Sequence, residues 1–396
     1  MKAYVDNAAT TKISSLATEA MINAMEEFYG NPSSLHTAGQ IALEAMDSTR
    51  EKIAANLGCP AKEIYFTSGG SESDNQAILS AAAAGEKKGK KHIVSTAFEH
   101  HAVLHVLEKL ERQGFEVTLL DVHENGLITA EEVEAALRED TCLVTVMYAN
   151  NEIGTIQPIA KIGKVCQEKG VLFHTDAVQA AGHLPINVKE ENIDMLSLSA
   201  HKFNGPKGVG VLYARKGIPL VNIIEGGAQE RGKRGGTENL PAIAGMAAAF
   251  DEACANREAD NTKVLAMRDR LIEGLGKIEH SALNGDRESR LPGNVSFCFE
   301  GIEGESLLLL LDQEGIYASS GSACTSGTLD PSHVLLAIGR PHEVAHGSLR
   351  LSLSKNNTDE EIDHILEAVP KTVTYLRSIS PLWRDLCEGR KEYVIH

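Results

Sequence analysis

Four stretches of the chain hold side chains suited to covalent or acid–base work. In "SLSAHKFNGPKG" (197–208), His201 and Lys202 follow an apolar run and precede glycines. That pattern places the lysine at the carboxyl end of a strand, where open α/β sheets bind ligands. A lysine at such a corner forms a Schiff base once burial or a neighbouring cation lowers its pKa; on a helix surface it would be an ordinary solvated cation. Ser199 and His201 flank it, and both suit a phosphate. In "TSGGSES" (67–73) a strand ends, two glycines let the chain turn and a helix begins. The helix start offers free N–H groups and partial positive charge, to which Ser71 adds a hydroxyl. Ser71 with Asp74 three residues on also fits an ordinary capping box. The loop is not a Walker motif, because the spaced Gly-Lys-Ser/Thr is missing. In "FHTDAVQA" (173–180), Asp176 closes a strand and Gln179 follows. A carboxylate at that edge either pairs with a protonated ring nitrogen or caps the next segment. Last, "SSGSACTSGTLD" (319–330) sets Cys324 among small polar residues that cannot bury it, although cysteine is usually buried.

A phosphate held at a helix start, a lysine for an imine and an aspartate for a pyridinium nitrogen describe one cofactor, pyridoxal 5'-phosphate. The protein must hold that ring and tune its nitrogen while the cofactor serves as electron sink.

Positioning these residues takes a sheet. Short β-branched runs alternate with amphipathic segments: strands at 63–67, 92–95, 116–120, 142–149, 171–176, 193–199 and 208–214, with helices near 37–57, 100–113 and 129–138 and from Pro158 onward. Such alternation implies a mostly parallel sheet covered on both faces. A long helical stretch covers about 240–280. After Pro292, "NVSFCF", "ESLLLLLDQEG", "HGSLRLSLS" and a last helix near 358–377 predict a smaller α+β domain. The expected division is a large domain over 16–255 and a small one built from 1–15 with 256–396.

Composition limits the partners. With 55 acidic and 38 basic residues the formal net charge is −17, which argues against nucleic acid or an anionic membrane surface. Seven cysteines include no CxxC pair, so neither a zinc site nor a disulfide framework is read. The start, "MKAYVD", has no apolar signal region, and a cytoplasmic protein with reduced thiols is the expectation.

The chain resembles the class V aminotransferase-like cysteine desulfurases, the nitrogen-fixation and iron–sulfur-cluster group. The resemblance runs from "VDNAATT" (5–11) and "GNPSSLHTAG" (30–39) through "TSGGSESDN", "EHHAVL", "NNEIGTIQP", "HTDAVQAAG", "SLSAHKFNGPKGVG", "RGGTENL" and "SSGSACTSG" to "HGSLRLSLS" (346–354). It implies the type I fold of pyridoxal-phosphate transferases. It implies that Lys202 is the Schiff-base lysine, Asp176 the pyridinium partner and Gln179 the contact to the phenolic oxygen. Gly70, Ser71, Ser199 and His201 become phosphate contacts, and Thr237 a phosphate contact given to the neighbouring subunit of a homodimer. His100 stacks on the ring and serves as an acid–base group. Asn151 and Arg350 hold the substrate carboxylate; a guanidinium grips it with two hydrogen bonds. Cys324 is the nucleophile that takes sulfur from L-cysteine, leaving L-alanine and a persulfide for an acceptor such as an iron–sulfur scaffold protein.

A thiol of ordinary pKa is only about 3% thiolate at pH 7, so Cys324 needs a base, and His100 is the leading candidate. No resident metal site is read; Cys324 is at most a transient iron–sulfur ligand. Gln40 stands where the family commonly has arginine, and serine stands at 71 where threonine is frequent. The tail after Ser380, with the only tryptophan, Trp383, is considered for scaffold docking. Two other classes stay open at this point. A selenocysteine lyase or aminotransferase keeps Lys202, Asp176 and Ser71 without requiring Cys324, and a non-enzymatic sulfur-relay or iron-binding hub requires only exposed thiols.

Overall fold

The computed structural model describes residues 1–320 and 331–395. The chain opens with β1 (Ala3–Tyr4), which pairs far along the sequence. Seven strands then build the large sheet: β2 (Ile64–Thr67), β3 (His92–Thr96), β4 (Glu116–Leu120), β5 (Thr141–Thr145), β6 (Leu172–Asp176), β7 (Met195–Ser199) and β8 (Gly210–Ala214). Their spatial order is β2-β8-β7-β6-β5-β3-β4. All neighbours run parallel except β8, which is antiparallel to both β2 and β7. The carboxyl ends of β2, β3, β5, β6 and β7 therefore point the same way.

The predicted strands are recovered because both faces of the sheet are covered, so each inner strand reads as a continuous apolar run. β3, β5, β7 and β8 are buried along their whole length. β4, at the edge, is half exposed and carries Glu116, as edge strands do to discourage further pairing. One strand falls furthest short of its expected length. The run at 142–149 stops being a strand at Thr145, and Val146, Met147, Tyr148 and Ala149 continue as buried non-strand chain. Helices Gly70–Glu86 and His101–Glu111 cover one face with Ala77, Ile78, Val103 and Leu107. Helices Thr37–Leu57 and Ile159–Lys169 pack in the core on the other.

The small sheet is antiparallel and ordered β12-β10-β9, from β9 (Ser281–Leu283), β10 (Asn294–Phe299) and β12 (Ser348–Ser352); β1 pairs with β11 (Ile316–Tyr317) beside it. The long helix Leu240–Leu275 serves both cores: Ile243, Met246 and Phe250 pack with the large sheet, while Val264, Met267 and Leu271 pack with β10 and β12. The chain crosses back after β11, since Val334, Leu335, Val344 and Ala345 join the large-sheet cluster. The tail folds onto the small domain. Arg377 lies over Trp383 at 3.9 Å, and Tyr393 stacks on His280 at 3.7 Å. Among the described residues no helix is long and apolar enough to cross a membrane.

One buried ion pair pins the loop that leads to Thr237. Arg50 gives two hydrogen bonds to Glu230, at 2.8 and 2.7 Å, and Glu230 also accepts the Phe66 N–H. Both side chains are buried. Glu230→Gln leaves Arg50 buried without its counter-charge. The expected cost is about 3–5 kcal/mol in denaturant-induced unfolding, and an unchanged midpoint would show that the pair contributes nothing.

Candidate active site

The aligned strand ends gather most of the sequence-selected residues. Lys202 follows β7 in a short 3-10 turn, Ala200–Lys202. Its Nζ donates to the carbonyls of Ala8 at 2.6 Å and Ala9 at 2.8 Å. Gln179 reaches the same Ala8 carbonyl at 3.0 Å. Thr11 donates to the His201 carbonyl from both its amide and its hydroxyl, and His201 Nδ1 meets the Thr10 hydroxyl at 3.1 Å. Residues 8–11 thus form one wall of the site, although they sit about 190 positions from the lysine in sequence.

That wall borders a cleft of about 450 Å³. Thr10, Gly69, Gly70, Ser71, Ser199 and His201 line it. Helix Gly70–Glu86 opens onto it with Gly69 as N-cap and no side-chain cap. The capping-box alternative for Ser71 and Asp74 therefore does not hold: Ser71 is the exposed second helical residue, and Asp74 is buried. The uncapped first turn keeps its N–H groups for an anion. Gly69 sits at φ 153°, ψ −177°, a region that only glycine adopts freely. A Cβ there would meet only the Ser199 hydroxyl at 3.6 Å, so the obstacle is backbone strain rather than space. Gly69→Ala is expected to cost about 1–3 kcal/mol in thermal unfolding and to weaken cofactor affinity; wild-type values for both would remove Gly69 from the cradle.

Asp176 closes β6 and is buried, with Oδ1 accepting the Val178 N–H at 2.9 Å. Burial pushes its pKa up, against His100, the Val178 N–H and Lys202. Among the described residues it has no salt bridge. A buried carboxyl with no salt bridge among the described residues, a helix start with no side-chain cap and a lysine at the end of the adjacent strand fit a cationic aromatic ring that carries a phosphate. Burial, with Lys202 and Lys207, pushes His201 down to about 4, so the ring is neutral until an anion arrives.

His100 is half-buried and caps helix His101–Glu111, its Nδ1 accepting the Ala102 N–H at 3.1 Å. That bond uses the Nδ1 lone pair, so the neutral ring carries its proton on Nε2 and presents a donor. Arg350 lies on β12, with Leu349 and Leu351 turned into the small-domain core. It is buried, donates to Asp6 at 2.9 Å and to the Asn151 carbonyl at 3.3 Å, and among the described residues its Nε has no partner. The fold so joins Asn151 and Arg350, and sets them beside residues 6–9. Thr237 is exposed and does not line the cleft of its own chain. Cys324 lies outside the described residues.

Sequence reasoning passed over several groups. Asp6, Ala8, Ala9 and Thr10 bond Arg350, Lys202 or His201. "VDNAATT" enters the sequence reading only as a motif of the resemblance, with no residue role attached. Behind Asp176, His174 is held between the Thr145 and Ser197 hydroxyls at 2.8 and 3.0 Å, with Asp74 Oδ1 at 3.6 Å. Burial pushes His174 down to about 3 and Asp74 well up. His101 is half-buried, its ring 5.0 Å from His105 and 4.7 Å from His333. Among the described residues no group of three His, Cys, Asp or Glu is arranged to hold a metal ion. Cys142, Cys166 and Cys298 are buried, and Cys387 is exposed.

Comparison with known proteins agrees with this geometry. The aminotransferase class-V family model matches residues 3–365. A cysteine desulfurase IscS of Methanosarcina thermophila is 55% identical over 379 residues, covering 96% of this chain and 94% of that protein. One from Clostridium botulinum is 52% identical over 392 residues, 98% of each. A solved NifS-like protein superposes with a TM-score of 0.89 at 39% identity, covering 95% of this chain and all of the other. The fold, the lysine-bearing strand end and these likenesses agree: the chain belongs to the class V aminotransferase family, among its cysteine desulfurases.

Proposed function

We propose that the chain removes sulfur from L-cysteine, giving L-alanine and a persulfide on Cys324, with Lys202, His100 and Cys324 as the catalytic residues. The observation that carries this reading is Lys202 at the carboxyl end of β7, on a sheet whose neighbouring strand β6 ends in buried Asp176 and whose strand β2 leads into an uncapped glycine-led helix start. Lys202 carries the cofactor. Gly70, Ser71, Ser199 and His201 hold its phosphate, Asp176 its ring nitrogen and Gln179 its phenolic oxygen. Pyridoxal phosphate bound there supplies an aldehyde for the substrate amine and an electron sink for the adjacent carbon.

Arg350 and Asn151 orient the substrate by its carboxylate. Asp6 holds the guanidinium in place at 2.9 Å, and the buried Nε, without a partner among the described residues, leaves a donor for an incoming anion. The Cys324 thiolate forms an S–S bond to the substrate sulfur as the carbon–sulfur bond breaks. The bonding pair stays with carbon, so carbon is reduced and the transferred sulfur oxidised. In net terms the Cys324 thiol proton ends on the alanine methyl group. Lys202 and His100 move protons at the substrate carbons; His100 enters as a donor through Nε2.

The persulfide passes to a sulfur acceptor in iron–sulfur cluster assembly, such as a scaffold protein. The protein works as a homodimer in the cytoplasm, where exposed Thr237 reaches the phosphate of the neighbouring subunit. Anaerobic incubation with L-cysteine tests the reading. Stoichiometric alanine and a persulfide mapped to Cys324 by mass spectrometry are expected; alanine without that persulfide would sink it.

A further inference from the structure

On either side of residues 321–330 the described chain is tied to Arg350 and to the neighbour of Asn151. On entry, Ser319 and Arg350 exchange two backbone hydrogen bonds, at 3.2 and 2.7 Å. On exit, the Ser332 hydroxyl donates to Oε2 of Glu152, next in sequence to Asn151. Ser332 in turn accepts the Val334 and Leu335 N–H groups, so one hydroxyl sets both the start of helix His333–Ala337 and its tie to Glu152.

Glu152 is itself immobilised. It is 5% exposed. Its N–H donates to Asn150 Oδ1 at 2.8 Å, and its carbonyl accepts from Asn294 at 3.1 Å. Asn294 is gripped by Arg290 at 2.9 Å. A buried carboxyl costs stability unless it is hydrogen-bonded, and this one is anchored at backbone and side chain alike. Nothing in the cofactor cradle touches it: Glu152 does not line the cleft of Gly70, Ser71 and His201.

We propose that Glu152 is a positioning residue for sulfur abstraction: through Ser332 it fixes where the chain returns from Cys324 relative to Asn151 and Arg350. The assignment rests on the desulfurase reading above. Arg350, Asn151 and the chain at Ser319 and Ser332 then share one frame. Displacing that frame by about 1 Å costs on the order of 10²-fold in rate, while substrate affinity, set by Arg350 and Asn151 themselves, stays.

The test uses holoenzyme of the wild type, Ser332→Ala, Ser332→Thr, Glu152→Ala and Glu152→Gln. The cofactor absorbance band and the KM for L-cysteine are expected to hold in all. The kcat for alanine formation should fall about 10²-fold in Ser332→Ala and Glu152→Ala. It should recover in Ser332→Thr and Glu152→Gln, which keep a hydroxyl and an acceptor. If Glu152→Ala does not fold, Ser332→Ala, one hydroxyl smaller, decides alone. Wild-type kcat in Ser332→Ala overturns the assignment, as does a loss shared by KM and the cofactor band. A wild-type enzyme that makes no alanine overturns the desulfurase reading instead, so the two failures are distinguishable.

Discussion

Lys202→Ala is expected to abolish alanine formation from L-cysteine, by at least about 10⁴-fold, the upper range for losing one positioned acid–base group, and more because the covalent link to the cofactor goes too. The fold should survive. Lys202 is half-buried, and its amine bonds the carbonyls of Ala8 and Ala9, each bond contributing about 1 kcal/mol of net stability. Those carbonyls face a cleft wetted by solvent, so water takes the place of the amine. The cradle of Gly70, Ser71, Ser199 and His201 and buried Asp176 remain, and the variant should still bind pyridoxal phosphate, now without the lysine-bound absorbance. Borohydride reduction followed by peptide mapping is the direct check: in wild type the tag lands on Lys202. A tag on another lysine, or turnover by the alanine variant, removes the foundation of the site.

Cys324→Ala should retain the bound-cofactor spectrum and lose both persulfide and sulfide release. The other thiols are poor substitutes for physical reasons. Burial pushes Cys166 up to about 12 and Cys142 and Cys298 to about 11. At pH 7 a thiol four units below its pKa is about 10⁻⁴ ionised, and the thiolate is the nucleophile. Cys59 and Cys254, half-buried, are pushed up to about 12 and about 11. Cys387 is exposed, but it lies on the tail helix Pro381–Cys387, against Tyr393 at 3.5 Å. Mass spectrometry after L-cysteine treatment should find the extra sulfur on Cys324 alone. Its appearance on Cys387 in the alanine variant at wild-type yield would make the tail, not the Ser/Gly segment, the sulfur carrier.

What the sequence disclosed depended on range. Strand ends were legible because a doubly covered sheet writes itself as apolar runs that stop at polar corners, and Asp176, Ser199 and Lys202 stand at such corners. The run at 142–149 misled on length alone: buried turn and buried strand share one composition, and past Thr145 the Val146 and Tyr148 N–H groups still reach the His174 and Asp176 carbonyls of neighbouring β6 although the chain has left the strand. Ser71 could not be told from a cap until Gly69 was seen at the N-cap. Contacts made by backbone carbonyls leave no trace in residue type, so Ala8 and Ala9 were invisible as partners of Lys202. Glu152 was hidden differently. It sat within a recognised motif, but its partner Ser332 lies 180 positions away. Thr237 follows a third logic, since the resemblance assigns it to the neighbouring subunit and one chain leaves it facing solvent.

The 344-residue span between Asp6 and Arg350 bears on how the protein is made. Closing so long a loop is a late event in folding, and a chain still on the ribosome with residue 350 unsynthesised has no partner for its own amino-terminal segment. The large sheet can collapse early, since its strands are local in sequence, yet the tie between Asp6 and Arg350 can close only after residue 350 has been added. The lysine end of the site is therefore expected to take shape during synthesis before its guanidinium end.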